Sequence, residues 1–426
     1  MHTRSARLLS RSGEYVLVFF FLAVGAVLGG SVPPAAAQPE FPGAPNEPGV
    51  NFRVYPLDTW SPRVGVGVGA GLVVHHLGRR HAQGLLTVAP ARHEQVATLA
   101  WASANSKRAR QYVLVRARGL HTNRDWFYGL GPGSSDDARQ SIERSALKIG
   151  VRVGQHFLDR RFLVQPRLNL SMHRVDRVPV PSTPGLDDRS QTHLRQLASE
   201  RVGPLSPEQT GLRVGVDLQY DTRPPAARPT RGLLLEAGWR RYVNLSDSFL
   251  NYDRFDLTAH GLLPLHDAHH LVGRLSITHT VARGRAAVPY YLRPTLDATL
   301  VPGWARHRFV GSNRLVGSLL YRFPVAQPFG LVNLGGHLGV HAGNVYDDFF
   351  DDAALDLTFD EALNANRTSV PLRPAASLGL HLGLAFRQTP SLDLALGLSP
   401  EGVTAVRFTL NQNLQALRHS HHRIRQ

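Results

Sequence analysis

Leu212-Arg213-Val214-Gly215-Val216-Asp217-Leu218-Gln219-Tyr220-Asp221 places an apolar side chain at every even position and glycine or a polar side chain at every odd one. A strand turns successive side chains to opposite faces of its sheet, whereas a helix repeats every 3.6 residues, so this stretch is amphipathic only as a strand. The beat recurs. Val64, Val66, Val68, Ala70, Leu72 and Val74 oppose Arg63, Gly65, Gly67, Gly69 and Gly71. Leu147, Ile149, Val151 and Val153 oppose Lys148, Gly150, Arg152 and Gly154, and Leu378, Leu380, Leu382 and Leu384 oppose Ser377, Gly379, His381 and Gly383. Fifteen such segments can be marked between 63–77 and 403–414.

A soluble sandwich and a lipid-embedded barrel both alternate. A sandwich core is only two sheet faces thick, whereas segments of about ten residues, repeated this often, suit the nine to eleven residues of a membrane barrel strand. The expected fold is therefore all-β, a transmembrane antiparallel β-barrel. Single-chain bacterial barrels have an even number of strands, which sets the count at about sixteen. The missing strand is sought in Asn51–Trp60 or Arg285–Thr295. Counted back from a periplasmic C-terminus, the long connections 121–142, 177–210, 283–312 and 343–370 fall outside the cell and the short ones inside, as such barrels require.

Charge follows the same parity. Arg152, Arg213, Asp217, Glu236, Arg240, Arg254, Asp256, Arg314 and Arg322 share the predicted lumen face. A lipid-facing arginine would cost about 2–4 kcal/mol at the bilayer midplane. Arg241, on the face of Leu233, Leu235 and Trp239, breaks the pattern and is expected at a membrane interface.

Composition narrows the function. Among 426 residues there is no cysteine, which excludes a disulfide scaffold and a cysteine-ligated zinc site. The net charge of +16 is almost all arginine, spread from Arg53 to Arg425 without a basic helix or face, so no nucleic-acid partner is expected. Arg4, Arg7 and Arg11, the apolar run Val16–Leu28 and Ala35-Ala36-Ala37 have the layout of a cleavable export signal over 1–37. A Pro-rich linker over 38–60, the barrel over 61–414 and a basic His/Arg-rich tail over 415–426 complete the expected organisation.

Signatures of catalysis and metal binding are weak. No Gly-x-Ser-x-Gly elbow occurs, and the Ser145/Lys148 spacing splits that pair between opposite faces of a strand. Asp347, Asp348, Asp351 and Asp352 read as a solvated acidic loop rather than a calcium site, and His75-His76, His266 with His269-His270, and His419 with His421-His422 read as surface histidines. Trp126, Trp239 and Trp304 read as interfacial anchors. No enzyme activity, cofactor or metal is expected.

From about Asp125 the sequence resembles the BamA/TamA-type surface-antigen family of outer-membrane barrels. Trp126-Phe127-Tyr128-Gly129-Leu130-Gly131 is similar to an aromatic-Gly-x-Gly element of that family. Tyr220-Asp221-Thr222-Arg223, followed by Pro229-Thr230-Arg231-Gly232, resembles its tight turn between two strands. Pro289-Tyr290-Tyr291-Leu292, Val301-Pro302-Gly303-Trp304, Arg308-Phe309, Asn313 and Tyr321-Arg322-Phe323-Pro324 look like its long inward-folded extracellular loop and the next strand, and Ser399-Pro400-Glu401-Gly402 matches before the last strand.

The resemblance implies that an arginine at the loop tip should pair with two lumen carboxylates. Those positions read Pro302, Leu320 and His341, so all three members of this ionic lock are missing. Joint loss is sensible, because removing one partner of a buried pair strands the other at a cost of about 3–5 kcal/mol. The loop is expected to fold inward nonetheless, held by Gly303, Trp304, Phe309 and either Arg306 or Arg308. The family's assembly and secretion members also carry soluble receiving domains, for which the span between Gln38 and the first strand leaves no room. The resemblance then implies a monomeric barrel in the cell outer membrane, contacting its lipids. Its work would be to assist insertion, assembly or translocation of outer-membrane components, alongside other outer-membrane proteins or a periplasmic helper. The runner-up is a passive or gated pore for anionic solutes.

Overall fold

The alternation becomes a hydrogen-bonded ladder in the computed structural model. It describes residues 49–56, 68–75, 83–103, 111–159, 161–177, 188–198, 208–223, 231–246, 250–266, 268–283, 288–296, 300–305, 307–328, 332–357, 370–384 and 391–411. The expected export signal, the basic tail and Arg306 lie outside the described residues.

Seventeen strands share one sheet. All but one pair antiparallel with their neighbours along the chain. In order they are β1 (Gly49–Pro56), β2 (Val68–His75), β3 (Gln83–Pro90), β4 (Glu94–Ala102), β5 (Gln111–Phe127), β6 (Gln140–Phe157), β7 (Phe162–Arg177) and β8 (Glu208–Asp221). Then follow β9 (Gly232–Asn244), β10 (Asn251–His266), β11 (His269–Ala282), β14 (Asn313–Ala326), β15 (Val332–Tyr346), β17 (Val370–Leu384), β18 (Ser391–Ser399) and β19 (Gly402–Asn411). The exception, β16 (Ala353–Leu357), is a short parallel addition to β17. A two-stranded ribbon of β12 (Thr295–Leu296) and β13 (Phe309–Val310) stands apart inside one loop, and helix α1 (Asp188–Ala198) lies in the β7–β8 connection.

The sixteenth ladder strand is β1, which pairs with β2 from Gly49↔His75 to Pro56↔Val68. It corrects the linker expected over 38–60, so the barrel begins before residue 61. Its one proline, Pro56, is the last residue of the strand, so the ladder before it is uninterrupted. The other place offered, Arg285–Thr295, carries a single helical turn at Tyr290–Leu292 and the start of β12.

Several strands outrun their predicted ends. β5 has 17 residues and β6 has 18, against about ten for a membrane crossing. The excess lies at the end that carries the long connections. There the outward side chains no longer meet lipid, so hydrogen bonding continues while the apolar beat lapses.

One face of this sheet is exposed and apolar. Ile149 is 42% exposed, Val151 38% and Val153 45%, and Leu168, Val214, Leu257, Leu319, Leu338 and Leu380 are exposed likewise. The other face buries Arg167, Asp217, Arg240, Arg254, Arg314 and His341. A single sheet buries one whole face by curling around it, so the fold is a β-barrel, and a continuous apolar exterior of this size marks a membrane surface. Arg241 is outward and exposed as expected. Its guanidinium donates to Asp253 Oδ1 and Oδ2 at 2.9 Å, and Arg283 donates to the same carboxylate at 2.9 Å.

Inside, β7 to β10 form an ionic ladder. Cross-strand register puts Arg167, Gly215, Arg240 and Arg254 in one row and Gln165, Asp217, Gly238 and Asp256 in the next. Arg167 pairs with Asp217. Arg240 reaches Asp256 at 2.6 Å and Asp217 at 3.6 Å, and Arg254 reaches Asp256 at 3.2 Å. Gly238 makes room, since a Cβ there would meet Asp217 Oδ1 at 2.6 Å.

Candidate functional site: the inward-folded loop

The β11–β14 connection crosses the long-loop end of the lumen and is anchored at two points. Near its start, Val288, Tyr290, Tyr291 and Leu292 pack with Phe127, Ile142, Val175, Tyr242 and Tyr252 from the β5–β10 wall. Near its tip, Leu300, Val301, Trp304 and Phe309 pack with Val316, Val345 and Ala375 of β14, β15 and β17. Burying aromatic side chains at both anchors supplies about 1.5–3 kcal/mol each from transfer alone. Trp304 is 1% exposed, inside the lumen. It holds the inward loop, as the motif resemblance implied, and is not the interfacial anchor that a tryptophan by itself suggests. Trp239 is outward and 37% exposed.

The first anchor has a charged centre. Asp125, wholly buried, accepts Arg144 Nε at 2.8 Å and the Tyr290 hydroxyl at 3.2 Å on Oδ2, while His307 Nδ1 lies 3.1 Å from Oδ1. Burial and the Asp125 charge push the Tyr290 hydroxyl well above the usual phenol range. The Tyr290 backbone N–H donates to His193 Nε2 of α1 at 3.2 Å, which requires that nitrogen to be unprotonated. Consistently, burial first and then Arg293 and Arg189 lower His193 from 6.5 to about 3. Ser190 of the same helix accepts the Leu130 N–H at 2.8 Å. Asp347, from the acidic stretch, pairs with Arg189, with its second contact at 3.1 Å.

The tip is held by Arg308, which is 1% exposed. Its Nε donates to Glu401 Oε1 at 2.9 Å and its Nη2 to the same oxygen at 2.5 Å. Its Nη1 donates to the Ser134 carbonyl at 2.6 Å, and the Ser134 hydroxyl returns a bond to the Arg308 carbonyl at 2.9 Å. The guanidinium also lies over the Phe309 and Tyr128 rings, at 4.4 Å and 5.3 Å. Arg373 also lies over the Phe309 ring, at 4.1 Å, and donates to the Pro132 carbonyl at 2.8 Å.

Gly303 makes the backbone contact. Its φ of +109° lies where side chains are strained, and a Cβ there would meet the Leu398 carbonyl oxygen at 2.6 Å. Across the contact, a Cβ on Gly397 would meet Gly303 N at 2.2 Å. The loop tip therefore touches β18 backbone to backbone, and Arg308 grips the turn between β18 and β19.

At two of the positions where the resemblance implied a lock, His341 takes hydrogen bonds with the Ser318 and Ser377 hydroxyls, both at 2.9 Å, and Leu320 shares the inward parity of Arg314 and Ser318. The other quoted motif is also assembled. Asp221 accepts the Arg223 backbone N–H at 3.0 Å and its Nε at 2.8 Å, and the Thr222 hydroxyl accepts the Leu233 N–H at 2.9 Å. Gly232 closes against them with φ +107°, while Tyr220 pairs with Leu235 across the ladder.

Among solved structures the chain is similar to BamA from Haemophilus ducreyi lacking POTRA domains 1-3, with a TM-score of 0.57 and 13% identity over 85% of this chain and 69% of that one. The fold is that of the BamA barrel. CdiB from Escherichia coli is also similar, with a TM-score of 0.53 and 10% identity over 88% of this chain and 62% of that one. At these identities the likeness to BamA and CdiB is one of fold. No protein-family model matches the sequence, and no curated protein matches it.

Three partners of the loop were not singled out by the sequence. Asp125 and Ser134 carry no spacing signal, because they become neighbours of the loop only when the barrel curls. Glu401 sits in the quoted Ser399–Gly402 turn but has no acidic or basic companion nearby in sequence to suggest a pair.

Proposed function

We propose that this chain is an outer-membrane barrel that assists insertion, assembly or translocation of other outer-membrane components, and that it works without catalysis. The single observation that carries the reading is the tether from Arg308 to Glu401, backed by the Gly303–Leu398 contact. It ties the lumen loop to the last hairpin, beside the first and last strands of the barrel. A movement of that hairpin would be felt by the loop, and the reverse, because the two share a charge pair whose arginine is buried. The long-loop end would face the exterior and both chain ends the periplasm, where a helper could deliver clients.

Depletion of the protein should reduce the amount of other barrel proteins in the outer membrane. Complementation with Arg308→Ala should restore them less well than the wild-type chain. An outer-membrane proteome unchanged on depletion would contradict the assembly reading. The passive-pore reading has its own signature in planar bilayers, a steady conductance indifferent to deletion of Thr295 to Ser312.

A further inference from the structure

The β5–β6 wall differs from the ionic ladder beside it. Inward positions on the middle of these strands hold Arg116, Arg118, Lys148 and Arg152, and none of the inward residues from Tyr112 to Leu120 or from Ala146 to His156 is acidic. Register makes Arg118 and Lys148 direct cross-strand partners. Like charges in that relation repel and destabilise a sheet. One row away, Arg116 pairs with Gly150, Gly150 with Asn169, and Asn169 with Arg213 of β8. The strongest charged neighbours of Lys148 are Arg213, Arg144, Arg118 and Arg254, all cations.

Two donors here are buried with no hydrogen-bond acceptor among the described residues, Nε of Arg116 and Nε of Arg213. A buried donor left without an acceptor costs free energy, more when it is charged. Gly150 leaves the centre of the patch low, covered by the Asn169 amide, whose oxygen would lie 2.2 Å from a Cβ at that position. The patch thus offers the Arg116 and Arg118 guanidiniums, the Lys148 ammonium, an amide and the Nε of Arg213, whose Nη2 already donates to the Tyr252 hydroxyl at 3.0 Å. Guanidinium forks match the oxygen geometry of phosphate and carboxylate groups. A single carboxylate would answer only one of these cations, whereas a chain of phosphates would answer several.

We infer that the lumen wall built by β5, β6 and the facing part of β8 is a binding site for a multiply charged phosphate-type anion, held by Arg116, Arg118, Lys148 and Arg213. The site is independent of the assembly role, and either can fail without the other. Two sources share this chemistry, a soluble oligophosphate and the phosphorylated headgroup of a glycolipid.

The test titrates sodium tripolyphosphate into the full chain, folded in bilayers of zwitterionic lipid, and reads binding by calorimetry. The wild-type chain should bind and should weaken as salt is raised. Arg116→Gln/Lys148→Gln and, separately, Arg118→Gln/Lys148→Gln should each lose about tenfold or more in affinity, the scale of one charge-assisted hydrogen bond. Arg241→Gln, on the outer face, should bind as wild type. Melting of both double variants without anion, at or above the wild-type temperature, would show that lost binding is not lost folding. Bilayers containing a phosphorylated glycolipid separate the sources. Undiminished tripolyphosphate binding assigns the site to a soluble anion, and displacement assigns it to the headgroup. No binding by the wild-type chain, or equal binding by the double variants, would overturn the inference.

Discussion

Two neighbouring stretches of the same lumen wall carry inward arginines at the same strand spacing and do different things with them. From β7 to β10, Asp217 and Asp256 sit one row from Arg167, Arg240 and Arg254 and join them into a ladder. On β5 and β6 the middle of the wall supplies cations and no carboxylate, and sets Arg118 opposite Lys148. The first stretch answers its charge with its own side chains and so contributes to the barrel. The second sets two like charges side by side, a repulsion that the inferred anion would relieve. Burial alone cannot separate structural from functional charge. The composition of the adjacent row does.

The comparison breaks most visibly at Asp217. Asp217→Asn would leave Arg167 and Arg240 buried against a neutral amide and should cost about 3–5 kcal/mol of stability, measured by denaturant unfolding in micelles. If it unfolds at the wild-type midpoint, the ladder is not structural. Next comes the loop tether. Arg308→Met should cost about 2–3 kcal/mol, toward the lower end for a broken buried pair because Glu401 retains some contact with water, and should speed proteolysis of the loop. Gly303→Ala, strained by its positive φ and by the Leu398 carbonyl, should cost about 1–3 kcal/mol by the same assay.

The neighbouring stretch should respond with the opposite sign. Arg118→Gln removes a like-charge pair and should stabilise the chain without ligand by about 0.2–1 kcal/mol. A destabilisation there would remove the contrast between the two stretches. The smallest effect at neutral pH belongs to His193. Its folded pKa is depressed, so its neutral form costs nothing above about pH 6.5. The docking of α1 weakens as the pH falls from there toward about 3, where the folded group begins to protonate. Limited proteolysis near Asp188–Ala198 should accelerate over that window in the wild-type chain and less so in His193→Gln.

The barrel was legible because its signal is local. Alternation at Leu212–Asp221 or Leu147–Val153 states which face meets lipid, and parity then fixes which charges point inward. What the sequence hid is what depends on closure. β1 was masked by the prolines at its ends. The extended ends of β5 and β6 no longer face lipid, and so lack the beat. Trp304 carried two readings, since a tryptophan by itself suggests an interfacial aromatic, and only the resemblance of its surrounding motif pointed to a loop folded back into a lumen. Arg308 could be offered as a holder of the loop, but its partner Glu401 is 93 residues away and is brought near only by the curl of the sheet.

Five tryptophans allow a direct test of the claim that the apolar face touches acyl chains while the loop lies within the lumen. Two single-tryptophan variants, one retaining Trp239 and one retaining Trp304, would be reconstituted in bilayers whose acyl chains carry bromine, a contact quencher of indole fluorescence. The account predicts strong quenching of Trp239 and none of Trp304. Equal quenching of both, or quenching of Trp304 alone, would contradict it.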